Sequence, residues 1–413
     1  MPTPKTVVIR NVRVFDGEEL LEGAKSVIVR EGRIAIVTDA GQEPAVEGAA
    51  TLIEGAGRTL MPGMVEAHAH LTWGSSVEKI YHQFILPEDE LKVAAWRNAR
   101  VLLDHGFTSA YSAGALGDGI EVELARAIEA GETPGPRLVP STLERSPEGA
   151  EGVDTGDVFN GRGAEAIRKF VAYCKEQGIG SLKLVVSGED ALKPGSASDV
   201  LYTDEEMEAA GEAAREAGLW IATHAYYPKA IELALKAGAR IIYHASYADG
   251  AAADAMIAAK DTTFYAPSPG VSIAALEATP PPHIDMSHMK KSAAERMELE
   301  ARLVPALKAR GMRILIGGDY GFPFNPNGRN ARDLQIFVDH FGYTPAEALK
   351  AATALGGELM DLEVGRVKQG WLADLLLVEG DPTQDVSILQ DKNRIAMIMK
   401  GGALYKAPVE VAA

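Results

Sequence analysis

Between residues 64 and 318 the chain alternates eight times between a short apolar run and, in most cases, a longer amphipathic stretch. The apolar runs fall at 64–70, 108–113, 136–141, 181–187, 219–224, 239–244, 262–266 and 312–318, and segments rich in Ala, Glu, Leu and Lys include 88–105, 163–177, 204–217, 228–237 and 294–310. Short apolar runs read as strands and the 3.6-residue period reads as helix. Strands that alternate with helices lie parallel, and eight such units predict an α/β protein built on a (β/α)8 TIM barrel. A barrel takes about 250 residues, so a chain of 413 has a surplus. That surplus sits at both ends. Residues 5–15, 26–37 and 51–54 are β-branched runs that read as a small antiparallel sheet, and 365–378 and 394–405 repeat their style. Chain ends commonly lie close together. The expected division is therefore a composite β-sandwich domain from 1–62 plus 365–413, and a barrel from 63–364.

Composition narrows the function. A formal net charge of −17 excludes a nucleic-acid surface, which has to be basic. No apolar run approaches the roughly 20 residues of a membrane helix, and MPTPKTVVIRNVRVF has no secretory apolar core, so the expectation is a cytoplasmic enzyme without membrane partners. Cys174 is the only cysteine, which excludes an intrachain disulfide and thiolate-rich zinc sites. Any metal must use histidine, carboxylate or a modified lysine.

In a barrel the reacting groups stand at the carboxyl ends of the strands. The first apolar run ends in His68-Ala69-His70, and residues i and i+2 of a strand share a face, so both imidazoles leave together. Lys183 interrupts the apolar run SLKLVVS, where a buried ammonium must be paired, neutral or modified. His224 closes WIATH, His244 closes RIIYH and Asp319 closes RILIGGD. Six metal-competent side chains thus fall at predicted strand ends. The segment from Pro267 to Ser292, with prolines at 267, 269, 280, 281 and 282, reads as a long loop that walls the substrate. His105 and His340 read as helix-end residues, His82 as part of the first loop, and Cys174 as a packed thiol.

This set resembles the amidohydrolase superfamily, in the branch with a binuclear metal centre and a carboxylated lysine. PGMVEAHAH, THAYYPKAIELALKAGARIIYHAS with its 20-residue His224–His244 spacing, and GRVKQGWLADLLLVEGDP carry the likeness, which is similar to imidazolonepropionase-related and prolidase-like members. The resemblance implies that His68, His70 and Asp319 hold one divalent ion and His224 and His244 a second. Lys183, carboxylated by carbon dioxide, would bridge them. Zinc is the expected metal, with cobalt or manganese as alternatives. It further implies attack of a metal-bridging hydroxide on a carbonyl, proton transfer through Asp319, and oxyanion stabilisation by Tyr226. A homo-oligomer is expected on the same ground.

Two departures bear on the small-molecule substrate. Many prolidase-like members carry Gly-Gly-His after strand three, where this chain reads Pro140-Ser141-Thr142-Leu143, and Tyr243-His244-Ala245 replaces the commoner Glu-His-Gly. Both point away from a peptide carboxylate. Trp73, Tyr227, Phe322 and Phe324, with His283 and His288, are the expected substrate contacts, and they suit a partly aromatic, apolar molecule. The function expected is hydrolysis of a C–N bond in an amide, carbamate or urea. A lactonase, esterase or dipeptidase on the same site is the alternative, and a metal-free scaffold the remote one.

Overall fold

A computed structural model describes residues 6–46, 48–55, 57–77, 86–147, 160–189, 193–408 and 411–412. His82 lies outside them. Strand β1 (Thr6–Val14) is rich in β-branched residues and contains a bulge between Ile9 and Val12, where Asn11 takes a left-handed φ of 57°. Asn tolerates that conformation better than most residues. The bulge divides β1 between two sets of partners. Its first half pairs antiparallel with β2 (Lys25–Arg30), which pairs with β3 (Arg33–Asp39), and parallel with β4 (Thr51–Glu54). Its second half pairs parallel with β5 (Thr59–Pro62). The amino-terminal strands therefore form a mixed sheet where a purely antiparallel one was expected, because the excursion through β2 and β3 returns the chain in the direction of β1.

One glycine after β5, strand β6 (Met64–Ala69) opens the alternating region. In order follow α1 (Glu88–Asp104), β7 (Phe107–Ser112), α2 (Ile120–Glu129), β8 (Arg137–Val139), α3 (Ala164–Gln177), β9 (Ser181–Val185), α4 (Asp204–Ala217), β10 (Trp220–Ala225), α5 (Pro228–Lys236), β11 (Ile241–His244), α6 (Gly250–Ala258) and β12 (Phe264–Ala266). Then come α7 (Pro269–Glu277), α8 (Ser287–Ala309), α9 (Arg332–Phe341), α10 (Pro345–Ala352) and α11 (Ala354–Met360). The strands form two all-parallel sheets, β6-β7-β8 and β9-β10-β11-β12. Every residue of β6 and β7 is buried, as expected for strands covered on both faces.

Two further expectations need correction. Residues 312–318 do not form a regular strand; isolated parallel bridges join Ile314 to Tyr265 and Tyr320 to Ala69. The ladder fails because its groups are taken elsewhere: Gly317 N–H donates to Asp333 Oδ2 at 3.1 Å, and Gly318 O accepts from Asn325 Nδ2 at 3.0 Å. The long loop at 267–292 is largely helical, since Pro269 starts α7 and α8 begins at Ser287. A proline at the first helical position costs no hydrogen bond, so prolines at its ends do not make this segment a loop.

The chain closes with β13 (Leu375–Val378), β14 (Ile395–Lys400), β15 (Ala403–Lys406) and β16 (Val411–Ala412). β13 lies antiparallel between β5 and β14, and β16 pairs with β4, so both chain ends share one nine-stranded network. Val7, Ile9, Val27, Leu60, Leu375 and Met397 belong to its own apolar core. Among the described residues no helix is long and apolar enough to cross a membrane.

Candidate metal centre

The end of β6 delivers both His68 and, just beyond the ladder, His70, each at most 2% exposed. Their outer nitrogens are fixed. His70 Nδ1 faces the carbonyl of Gly114 at 2.9 Å, and since a carbonyl only accepts, Nδ1 carries a proton and in the neutral ring Nε2 is a bare lone pair. His68 Nδ1 lies 2.8 Å from Ser268 Oγ, whose own proton is directed at Ala266 O. That again leaves Nε2 bare. Asp319 arrives after the Gly317–Gly318 turn with φ 61°, and its carbonyl is held by Asn325 Nδ2 at 2.8 Å. Ser268 (φ 62°) and His244 (φ 73°) are left-handed as well. Non-glycine residues in that region cost energy and cluster where a site over-determines the backbone.

The two Nε2 atoms converge on one oxygen. Asp319 Oδ1 lies 3.0 Å from His70 Nε2 and 3.3 Å from His68 Nε2. Burial holds the His68 imidazole well below its ordinary pKa, with the Lys183 charge adding to the effect, so it is neutral and its contact with Asp319 is not an ion pair. Neither His68 Nε2 nor Asp319 Oδ1 has a hydrogen-bond partner although both are buried. Lone pairs pointed at one another without a proton between them are repulsive, and a divalent cation is the group that reconciles them. The three ligand atoms lie within 4.8 Å of one another, so these residues fit a metal ion.

Beside them stand the other expected ligands. Lys183 on β9 is 2% exposed; its Nζ donates to Ala113 O at 2.7 Å and lies 4.6 Å from the Tyr243 ring centre. Tyr243 in turn stacks on His68 at 3.8 Å. Strands β10 and β11 bring His224 and His244 together, with ring centres 4.5 Å apart, and His244 lies 5.4 Å from His68. Burial lowers the pKa of His224 and pushes that of His244 far down, which keeps both imidazoles neutral and able to donate a lone pair. Tyr226 stacks on His244 at 4.7 Å, and its hydroxyl donates to Glu189 Oε2 at 3.3 Å.

With that geometry in place, comparison with known proteins decides the lineage. Residues 59–404 match the Amidohydrolase family. The chain belongs to the amidohydrolase family. Ochratoxinase of Aspergillus niger is 25% identical over 420 residues, covering 95% of this chain and 85% of the relative. Imidazolonepropionase of Rubrobacter xylanophilus is 24% identical over 440 residues, with 92% and 90% covered. A crystal structure of a Xaa-Pro dipeptidase with methionine bound in its active site superposes with a TM-score of 0.83 at 22% identity, over 97% of this chain and all of that one.

In this amidohydrolase the expected substrate contacts fall in three places. Trp73 is buried and packs on Phe322 at 4.5 Å, and both rings meet His70 edge-on. Tyr227 stacks on Tyr247 at 4.4 Å, on the side of Tyr226. Phe324 packs with Ile284 and Met289 on a separate apolar cluster, and His283 and His288 are exposed, outside the buried group. Sequence reasoning missed the supports. Glu66, two residues before His68 on the same strand face, accepts from His68 N–H at 3.0 Å and Asn330 Nδ2 at 2.7 Å. Burial, reinforced by Asp333, raises its pKa to about 8. Its position in VEAHAH was the available signal. Ser268, Glu189 and Arg296 gave none, since each reaches the site only through tertiary packing.

Proposed function

We propose that this amidohydrolase hydrolyses a C–N bond in an amide, at a centre of two divalent cations held by His68, His70, His224, His244, Asp319 and a carboxylated Lys183. The observation that carries the reading is the convergence of two imidazole nitrogens on Asp319 Oδ1, with His68 Nε2 and that oxygen both buried and without a hydrogen-bond partner. When bound, such cations polarise a carbonyl and make a water acidic enough to attack near neutral pH. Asp319 keeps Oδ2 for the proton of that water and passes it to the leaving nitrogen. Tyr226, seated against His244, turns its O–H from Glu189 to the carbonyl oxygen as charge develops there. Carboxylation would convert the buried Lys183 ammonium into an anion that offsets two divalent charges. Zinc suits the nitrogen and oxygen donors, with cobalt and manganese as alternatives.

The scaffold reading goes with it. We take the two parallel sheets as arcs of one (β/α)8 barrel spanning 63–364, bridged at Arg145–Leu184, Tyr265–Ile314 and Ala69–Tyr320, with 1–62 and 365–413 as the β domain. Membership of the Amidohydrolase family favours an amide, with a carbamate, urea, lactone or ester as the alternatives on the same site. The test is metal content per chain beside turnover of an N-acyl amino acid, an aryl amide, an aryl carbamate, a phenylurea and a lactone. About two ions with amide cleavage is the expected result. Neither metal nor turnover after loading with zinc and bicarbonate would leave a scaffold protein.

A further inference from the structure

The backbone ladder fails between the strand that carries His68 and His70 and the segment that carries Asp319. Residues 312–318 form no regular strand, and among the described residues one isolated bridge, Ala69 to Tyr320, joins the two. On its other side β6 slips as well, its register against β7 broken between Glu66 and Ala69. The strands β9 to β12, by contrast, set one another's register through unbroken parallel pairing. Where pairing is missing, buried N–H and C=O groups need other partners. Segment 325–333 supplies them. Asn325 Nδ2 donates to the carbonyls of Gly318 at 3.0 Å and Asp319 at 2.8 Å. Asn327 Nδ2 donates to His70 O at 3.1 Å. Asn330 Nδ2 donates at 2.7 Å to Glu66 Oε2, and the other oxygen of Glu66 accepts from His68 N–H at 3.0 Å. Asp333 completes the set from α9, accepting from Gly317 N–H at 3.1 Å and from the Tyr320 hydroxyl at 2.8 Å. Asn325 and Asn330 are buried, and Asn330 Oδ1 is itself held by Gly328 N–H at 2.9 Å.

We propose that Asn325, Asn327 and Asn330 are positioning residues of the metal centre: they set the separation of Asp319 from His68 and His70, which the missing ladder leaves open. The inference rests on the metal-centre reading above and adds to it the residues that fix the ligand geometry. Each amide acts on the main chain of a ligand, directly or through Glu66, and so leaves the imidazole or carboxylate free to face an ion. Productive sites hold their groups to roughly 0.5 Å. Asp319 Oδ1 stands 3.0 Å and 3.3 Å from the two Nε2 atoms, so a carboxylate drifting on a loose turn would lose the shared ion. The same turn carries Phe322, which is bridged to Asn325 and meets His70 edge-on, so the clamp also fixes that ring beside the ligand.

The test uses cobalt, whose visible absorption reports ligand geometry, and needs no substrate. Wild type, Asn327→Ala, Asn330→Ala and the double variant are loaded with Co2+ and titrated with a chelator. Leu377→Ala, a cavity in the apolar core of the terminal strands, serves as the control for lost stability alone. Each asparagine variant should release one ion about 10–100-fold more readily, the double variant more readily still, with a shifted visible spectrum. Leu377→Ala should lower the melting temperature of the metal-free protein and move neither cobalt readout. Asn327 is half-buried, so its variant decides the matter even where Asn330→Ala fails to fold. Unchanged affinity and spectrum in asparagine variants with intact circular dichroism would overturn the inference and leave the metal centre standing. An equal loss in Leu377→Ala would overturn it too, since stability alone would then account for the effect. A wild type that takes up no cobalt would sink this inference and the metal-centre reading together.

Discussion

Ser268 sets the protonation pattern on which the centre depends. By taking Nδ1–H of His68 it leaves Nε2 free for a metal ion, and its left-handed backbone holds the hydroxyl there. Ser268→Ala should weaken metal binding about 10–100-fold, the usual cost of losing such an outer partner, as measured by competition with a chelator. Unchanged affinity would mean that His68 is no ligand. The sequence displays the two imidazoles of β6 because strand geometry alone puts them on one face. Their orienting partners come from Gly114 and Ser268, the latter 200 residues away. No local pattern reports such pairings. Arg296 is hidden for a different reason: on a helix rich in Lys, Glu and Arg it reads as one more solvated charge.

At the scale of elements, the last apolar run was misread for an instructive reason. RILIGGD has the composition of a strand, yet the side chain of Asp333 on α9 reaches in and removes Gly317 N–H from the ladder. The same intrusion makes Gly318 irreplaceable. A Cβ there would lie 2.3 Å from Asp333 Oδ1 and 2.6 Å from the Tyr320 ring. Gly318→Ala should cost about 1–3 kcal/mol as overpacking and also displace Asp319, so thermal stability and metal content should fall together. A loss of stability with full metal occupancy would uncouple α9 from the centre. The seven preceding runs were legible because each is bounded by turn residues and its backbone partners are neighbouring strands. Helix α7 was not, because prolines signal both a loop and a helix start.

For the whole molecule, burial of acids makes stability depend on pH. Glu300 has its pKa raised from 4.5 to about 8 in the folded state. The folded protein therefore holds this proton more tightly than the unfolded chain does. Its contribution is complete below about pH 4.5 and is lost as pH rises toward 8. Glu300→Gln keeps a neutral amide in place, so the variant's melting temperature should gain on wild type steadily from pH 5 to pH 8 in thermal denaturation. A constant difference across that range would show that Glu300 is ionised in the fold.

The sandwiching of β13 between β5 and β14 also governs how this protein can be made. β5 leads through a single glycine into the strand that carries His68, yet one of its two neighbours begins at Leu375. On the ribosome the edge of β5 must wait, unpaired and apolar, until more than three hundred further residues have emerged. Contacts of such span close slowly, and exposed strand edges aggregate. Synthesis of this enzyme should therefore draw on chaperones during elongation, and a nascent chain stalled before residue 375 should be held by them and not released as a folded protein.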